Sequence, residues 1–246
     1  MNETPGRYSE AAVVYDAFAE KYRDYSAGKA AYISSVDNLV CDALINGAGA
    51  MLDYGSGDGV RGASVAARTR PAVFFQADVS PEMVARCETL GAAERVFLVD
   101  RADWSEDLPP VDTIICLWNV LGHVPGTQVR RELLAELFSL LKPGGRLFID
   151  VNNRHYAGYG RLQSLWRRFV DRISPDYARG DVRFNWQIDG TDYPASGHFF
   201  TPAEMRDLLT TAGFDIASSL AVDYTTGAVS ADPTQGQLFF EAVRPG

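Results

Sequence analysis

Cysteine is scarce in this sequence. Cys41, Cys87 and Cys116 stand far apart, are odd in number and fall in no metal-ligand spacing. That argues against a disulfide framework or a zinc site, and all three read as reduced packing residues of a cytoplasmic protein. No run of about 18 apolar residues occurs, so nothing is expected to span a membrane and no membrane partner is expected. Met1 to Pro5 carry no basic region followed by an apolar one, which argues against a secretory leader. Positive charge is short as well. The 23 Lys and Arg face 32 Asp and Glu, a net charge of −9. Such a surface repels phosphate backbones and disfavours DNA or RNA as a partner. Internal repeats and low-complexity tracts are also missing.

What is present is an ordinary globular balance, 46% apolar and 22% charged over 246 residues. It fits a single domain with room for a shaped pocket. Two helix-like stretches lead the chain, Ser9 to Tyr25 with Ser9 as cap, and Lys29 to Ile45; residues 1–48 read as a helical cap. Short apolar runs then alternate with amphipathic stretches. Ala50–Tyr54, Ala72–Gln76, Val96–Val99, Thr113–Leu117 and Arg146–Val151 read as strands, and Val60–Arg68, Pro81–Leu90 and Gln128–Leu141 as helices. This alternation predicts an α/β fold, a doubly wound, mostly parallel sheet with helices on both faces. Residues 152–200 break the rhythm and read as an insertion with little regular pattern. Thr201-Pro202 then opens a helix that ends at Gly213. Phe214–Tyr224 and Gln237–Val243 close the chain as antiparallel neighbours, for seven strands in all.

The strongest local signal is Met51-Leu52-Asp53-Tyr54-Gly55-Ser56-Gly57-Asp58-Gly59, a strand running into three alternate glycines and then a helix. Such a turn lets a ligand approach the backbone and offers it free N–H groups. A dinucleotide turn needs G-x-G-x-x-G. Counted from Gly55, the third glycine falls on Val60; counted from Gly57, Gly59 and Gly62 fit, but the turn starts late. Asp53 and Asp58 also suit a ligand with an ammonium group and hydroxyls better than a pyrophosphate.

Asp78 ends the second strand, 19 residues beyond Gly59. A carboxylate there can accept both hydroxyls of a ribose; it can also simply charge the helix start at Ser80-Pro81. After the third strand, Val99-Asp100-Arg101-Ala102-Asp103-Trp104 offers an acceptor for an adenine amino group. Asp103, with the Trp104 backbone, competes with Asp100 for that role, and Trp104 can equally be core packing.

Together these residues resemble the S-adenosylmethionine-dependent methyltransferase family with the Rossmann-like fold. The likeness covers about residues 10–151 and 198–243 and includes Leu141-Lys142-Pro143-Gly144-Gly145-Arg146 and Phe200-Thr201-Pro202-Ala203-Glu204-Met205. The resemblance implies that S-adenosylmethionine is the cofactor. Its methionine part would lie on the glycine turn (Asp53, Gly55, Ser56, Gly57), its ribose at Asp78 with Val79 and Met83, and its adenine at Asp103 and Trp104. One departure is Ser56-Gly57-Asp58, where the family more often has a small residue and Thr, which leaves the contacts of Asp58 open.

Ligands of doubly wound sheets sit at the carboxyl ends of the strands. Leu117, Trp118 and Asn119 therefore join the cofactor set, with His123 nearby as a general base or as a residue packed over the turn. Tyr22 and Tyr25 share a face of the first helix and either meet the sulfonium or pack the helix down; Tyr25 is assigned to the cofactor and Tyr22, with His123, to catalysis. The insertion holds seven arginines against three aspartates between Arg154 and Arg183, interleaved with aromatics. Such a lid would suit a planar acceptor bearing a carboxylate or phosphate, with His155, Tyr156, Trp186 and His198 as substrate contacts, unless the arginines form a solvated face or a dimer contact. The function implied is methyl transfer to N, O or C of a small metabolite by a monomer or homodimer without a metal. Rivals are a nicotinamide-dependent oxidoreductase, a non-catalytic S-adenosylmethionine-binding protein, and a methyltransferase acting on protein or tRNA.

Overall fold

The computed structural model describes residues 9–99 and 103–246. Asp100 and Met1 to Pro5 lie outside the described residues, as does the side chain of Ser9. The expected first helix is interrupted. Ser9–Phe18 (α1) and Tyr22–Ala27 (α2) are joined by a 3-10 turn, Ala19–Lys21, before Ala30–Ala43 (α3). The aromatic face survives the break: the Phe18 ring lies 6.2 Å from Tyr22 and 5.4 Å from Tyr25.

Strand and helix then alternate as Ala50–Tyr54 (β1), Val60–Thr69 (α4), Val73–Asp78 (β2), Pro81–Leu90 (α5), Arg95–Leu98 (β3), Val111–Cys116 (β4), Thr127–Leu140 (α6) and Leu141–Val151 (β5). After the insertion come Pro202–Thr211 (α8), Asp215–Val222 (β8), the two-residue Val229–Ser230 (β9) and Gln237–Val243 (β10). The sheet order is β3-β2-β1-β4-β5-β10-β8-β9. β1 to β5 pair in parallel, and β10 runs antiparallel between β5 and β8. The seven expected strands are present, and β9 adds a short eighth at the edge.

Both faces of the sheet are covered, because side chains alternate along a strand. Leu52, Ile114 and Leu147 pack on one face with Leu134, Leu137 and Leu208. Their neighbours Met51, Ile115 and Phe148 pack on the other with Tyr32, Val36 and Val65. The chain winds from β1 toward β3 in one direction and toward β5 in the other. The switch leaves a crevice at the carboxyl ends of β1 and β4, where open α/β sheets bind ligands. α8 starts as expected, with a capping box: the Glu204 amide donates to Thr201 Oγ1 at 3.1 Å and the Thr201 amide to Glu204 at 3.4 Å.

The insertion corrects the expectation of irregular chain. It holds a helix, Arg161–Ile173 (α7), and a hairpin of Asp181–Ile188 (β6) and Thr191–His198 (β7). Val182, Phe184 and Trp186 are half-buried while Arg183, Asn185 and Gln187 are exposed, the period of two expected of a strand. Asp189 and Gly190, at φ 50° and 80°, make the two-residue turn. Asp-Gly is a strong hairpin signal; the dense arginines obscured it.

Candidate active site

The glycine turn is stitched to the end of β2. The amides of Gly55 and Ser56 donate to the Ala77 carbonyl at 2.8 and 3.0 Å, and that of Gly57 to Asp78 Oδ2 at 2.8 Å. Gly55 and Gly57 take φ of 75° and 55°. A Cβ on Gly55 would stand 2.5 Å from Val120, and one on Gly57 2.8 Å from the Tyr22 hydroxyl. Both positions thus need glycine for backbone angle and for space. Asp58 does not enter the cavity. Arg23 Nε donates to it at 3.0 Å and the Val60 amide at 3.2 Å, so it serves the start of α4.

Asp78 lines the cavity beyond this turn. Its carboxylate accepts the amides of Gly57 and, at 2.9 Å, of Ser80, with the Val79 backbone as a further donor, and its remaining acceptor capacity faces the cavity. Burial outweighs these bonds and raises its pKa to about 6. Asp53 sits differently. It lies behind the turn, where a Cβ on Gly62 would fall 1.9 Å from its Oδ2, and it is not among the lining residues. Burial lifts its pKa to about 7. Its expected contact with the cofactor is corrected to support of the turn from below.

Four further assignments change. Ser56 is buried against Cys87, with Oγ and Sγ 3.4 Å apart, and Met83 is on the buried side of α5. Neither lines the cavity, because Ser56 turns toward Cys87 and Met83 faces the core from α5. Trp104 packs among Tyr54 and Phe97 with Nε1 bonded to Glu136, and Asp103 is exposed. Trp104 therefore follows its core-packing reading. At the end of β3, Val99 lines the cavity, as does Val79 after β2.

The end of β4 carries backbone strain. Trp118 and Asn119 both adopt left-handed angles, φ 72° and 62°, unusual for residues with a Cβ. Asp150 of β5 holds them. Its carboxylate accepts the Trp118 amide and the Tyr32 hydroxyl, and its carbonyl accepts the Asn119 amide at 3.1 Å. The strain turns the Trp118 ring into the cavity with Leu117 and Asn119. There it stacks on Tyr25 at 5.7 Å and meets Tyr22 edge-on at 5.6 Å. Phe18 continues this wall to Trp186 of the hairpin, 4.6 Å away.

His123 lies in a 3-10 turn, Val120–His123, and also lines the cavity. Its Nε2 is 3.1 Å from the Tyr15 hydroxyl. Burial lowers its pKa, so the ring is neutral at neutral pH; the Ser196 backbone, also bonded to it, acts in the opposite direction.

The insertion's polar residues mostly turn away. His155 and Arg154 both bond Asp171 at 2.9 Å, and Tyr156 donates to Asp223 at 2.6 Å. Neither His155 nor Tyr156 lines the cavity, because each is spent anchoring the insertion. His198 does border it, but both ring nitrogens are engaged, by Asp181 at 2.7 Å and Glu204 at 2.9 Å, with Arg130 donating to the same Asp181 oxygen. It has no nitrogen left for a substrate. Trp186 is the one expected substrate contact that stands freely in the cavity wall. Tyr15, Phe18, Phe184 and Tyr224 also line it. Among the described residues, no arginine or lysine lines the cavity.

Arg61, on the first turn of α4, was missed as well. Its Nε donates to Asp37 at 2.8 Å, while both Nη atoms are buried without a partner. Its charge acts on Tyr22 and Asp150, both at the edge of the glycine turn and the Trp118 bend.

A glycine turn at the switch point and a carboxylate at the end of the next strand suit a nucleoside that carries an amino acid. This is the class of the doubly wound methyltransferases. The chain belongs to the methyltransferase domain family, whose pattern matches residues 18–219. It is 31% identical over 209 residues to a glycine/sarcosine/dimethylglycine N-methyltransferase of Actinopolyspora halophila, covering 80% of this chain but only 37% of that protein. It is 29% identical over 204 residues to a ubiquinone biosynthesis O-methyltransferase of Xanthomonas euvesicatoria pv. vesicatoria (strain 85-10), covering 79% of this chain and 76% of that one. Its fold matches that of an S-adenosylmethionine-dependent methyltransferase from Clostridium acetobutylicum ATCC 824, with TM-score 0.65 and 14% identity over 95% of this chain and 100% of the other. The cofactor is S-adenosylmethionine, and the residues present fit it: the cavity runs along the backbone of Gly55 and Gly57, and Asp78 offers an acceptor within it.

Proposed function

We propose that this domain transfers the methyl group of S-adenosylmethionine to a small, neutral aromatic acceptor, with His123 receiving the acceptor's proton. One observation carries the reading: the cavity is walled by Tyr15, Phe18, Trp118, Phe184 and Trp186, and among the described residues no Lys or Arg lines it. An acceptor carboxylate or phosphate would need such a cation. The anionic acceptor suggested by the insertion's arginines is therefore replaced by a neutral one. A cavity of about 290 Å³ suits a metabolite and not a polymer.

When bound, the cofactor supplies an electrophilic methyl on a sulfonium. Asp78 would accept the ribose hydroxyls, and Arg61, whose buried Nη atoms lie outside the cavity lining, would turn in to hold the carboxylate. Tyr22 and Trp118 present aromatic faces beside the turn, where a cation is favoured. The hairpin and α1 would clamp the acceptor ring and exclude water, and alignment of this kind contributes about 7–11 kcal/mol to lowering a barrier. As the acceptor oxygen or nitrogen attacks the methyl, its proton passes to the Tyr15 hydroxyl, which gives its own to Nε2 of neutral His123, while the Ser196 backbone holds the other ring nitrogen. The test is to incubate the protein and labelled S-adenosylmethionine with neutral phenols and N–H heterocycles in parallel with glycine and sarcosine. Label should pass to the aromatic compounds. Faster turnover of glycine or sarcosine would overturn the proposal.

A further inference from the structure

α7 is folded inside out. Its protein-facing side is polar: Ser164 is buried and donates to the His155 carbonyl at 2.6 Å, Arg167 donates to the Arg154 carbonyl at 3.3 Å, and Asp171 takes Arg154 and His155. Its outer side is apolar. Leu162, Leu165, Trp166, Phe169 and Ile173 are exposed by 83, 57, 66, 56 and 64%. Their spacing places them in one stripe along the helix. Arg161, Arg168 and Arg172 are exposed beside it. An apolar stripe of this size on an otherwise acidic domain marks a contact surface.

The charge pattern selects what covers it. A second copy pairing through the same face would bring like charges together: two antiparallel α7 helices centred between Trp166 and Arg167 set Arg161 opposite Arg172 of the copy. Like charges across an interface oppose association. A bilayer carrying anionic lipid offers the opposite sign. Trp settles at the level of the headgroups, and arginine reaches to phosphate over its own apolar stem. The net charge of −9 does not cancel this attraction, because charges more than about 8 Å away are largely screened at physiological ionic strength. Among the described residues no helix is long and apolar enough to cross a membrane. At 1.5 Å per residue α7 is only about 20 Å long, so it would lie in the plane of the surface.

We propose that the outer face of α7 docks this domain onto an anionic lipid surface, with Trp166 and Phe169 in the acyl boundary and Arg161, Arg168 and Arg172 at the phosphates. The expectation of no membrane partner rested on the lack of a spanning segment, which says nothing of a helix lying on a surface. The inference does not depend on the acceptor proposed above.

The test uses the whole chain with vesicles of phosphatidylglycerol and phosphatidylcholine, and with phosphatidylcholine alone. The protein should float with the anionic vesicles, release with salt and bind the neutral ones at least tenfold more weakly. Brominated lipid should quench part of its tryptophan fluorescence. The exposed double variant Trp166→Glu/Phe169→Glu should lose flotation at least tenfold, together with that quenching, while its S-adenosylmethionine affinity stays unchanged. Failure of the unaltered chain to bind anionic vesicles would overturn the proposal. So would light scattering that finds a stable dimer which the double variant splits, since a second copy would then cover the stripe.

Discussion

Tyr15 reaches from α1 to place its hydroxyl 3.1 Å from Nε2 of His123, joining the N-terminal cap to the carboxyl end of the sheet. A neutral imidazole in that position can take a proton from a hydroxyl or N–H acceptor. His123→Ala should then slow methyl transfer by about 100-fold or more, a usual range for loss of a general base, with cofactor affinity unchanged. Tyr15→Phe should cost less, because it removes the relay and leaves Nε2 of the base to take the proton itself. The sign of the pH effect follows from the lowered pKa of His123: the rate should be flat through neutrality and fall only below the ordinary histidine value of about 6.5. A rate for His123→Ala within a few-fold of the unaltered enzyme would make His123 a packing residue.

The carboxylate of Asp78 ties cofactor affinity to pH. Its pKa in the free protein is about 6, and the ribose hydroxyls are best accepted by the ionised form. Binding should therefore strengthen as pH rises through that value and weaken by about tenfold per unit below it, with a proton released on binding. Calorimetry in buffers of different ionisation enthalpy would detect the proton. Asp78→Ala should cost about 1.5–3 kcal/mol of cofactor affinity at neutral pH, and Asp78→Asn should flatten the pH dependence. An unchanged affinity for the alanine variant would remove Asp78 from the ribose site.

Arg61 makes a prediction that separates one half of the cofactor from the other. If its unpartnered Nη atoms hold the methionine carboxylate, Arg61→Gln should weaken S-adenosylhomocysteine by about 10- to 100-fold, the range of a charged hydrogen bond. Binding of 5′-methylthioadenosine, which lacks the amino-acid tail, should not change. Equal weakening of both ligands would mean that Arg61 supports the fold through Asp37 alone.

How far the site was legible depends on how local each part is. Gly55, Gly57 and Asp78 lie within one strand–turn–helix–strand unit, so their spacing carries their roles. The same holds for the Thr201–Glu204 cap, where the partners are three residues apart. Asp53 was misplaced because alternation along β1 decides whether it faces the ligand or α4, and the close approach of Gly62 is a tertiary fact. Arg61 looks like any charged residue on a helix until α3 covers it with Asp37. Asp150 reads as a strand residue, yet it holds a bend from a neighbouring strand. The insertion misled most. Its arginines suggested an anion site, but Arg154, Arg167 and Arg179 bond within the insertion, and the wall of the cavity is the apolar side of β6.

His198 shows how such a network should behave when it borders a cavity without contacting a substrate. Its ring is 1% exposed and bridges Asp181 and Glu204, and Arg130, equally buried, closes the group. Glu204 is also half of the capping box of α8, so the ring ties the hairpin to that helix. Removing the ring leaves a buried carboxylate without one of its donors, which costs about 1–3 kcal/mol, more where the group is charged. In a domain of this size each kcal/mol lowers the melting temperature by roughly 2–4 °C. His198→Ala should therefore melt several degrees lower while KM for the acceptor moves by less than about threefold, the signature of a stability effect and not of lost binding. A tenfold rise in KM with an unchanged melting temperature would restore His198 to the substrate contacts.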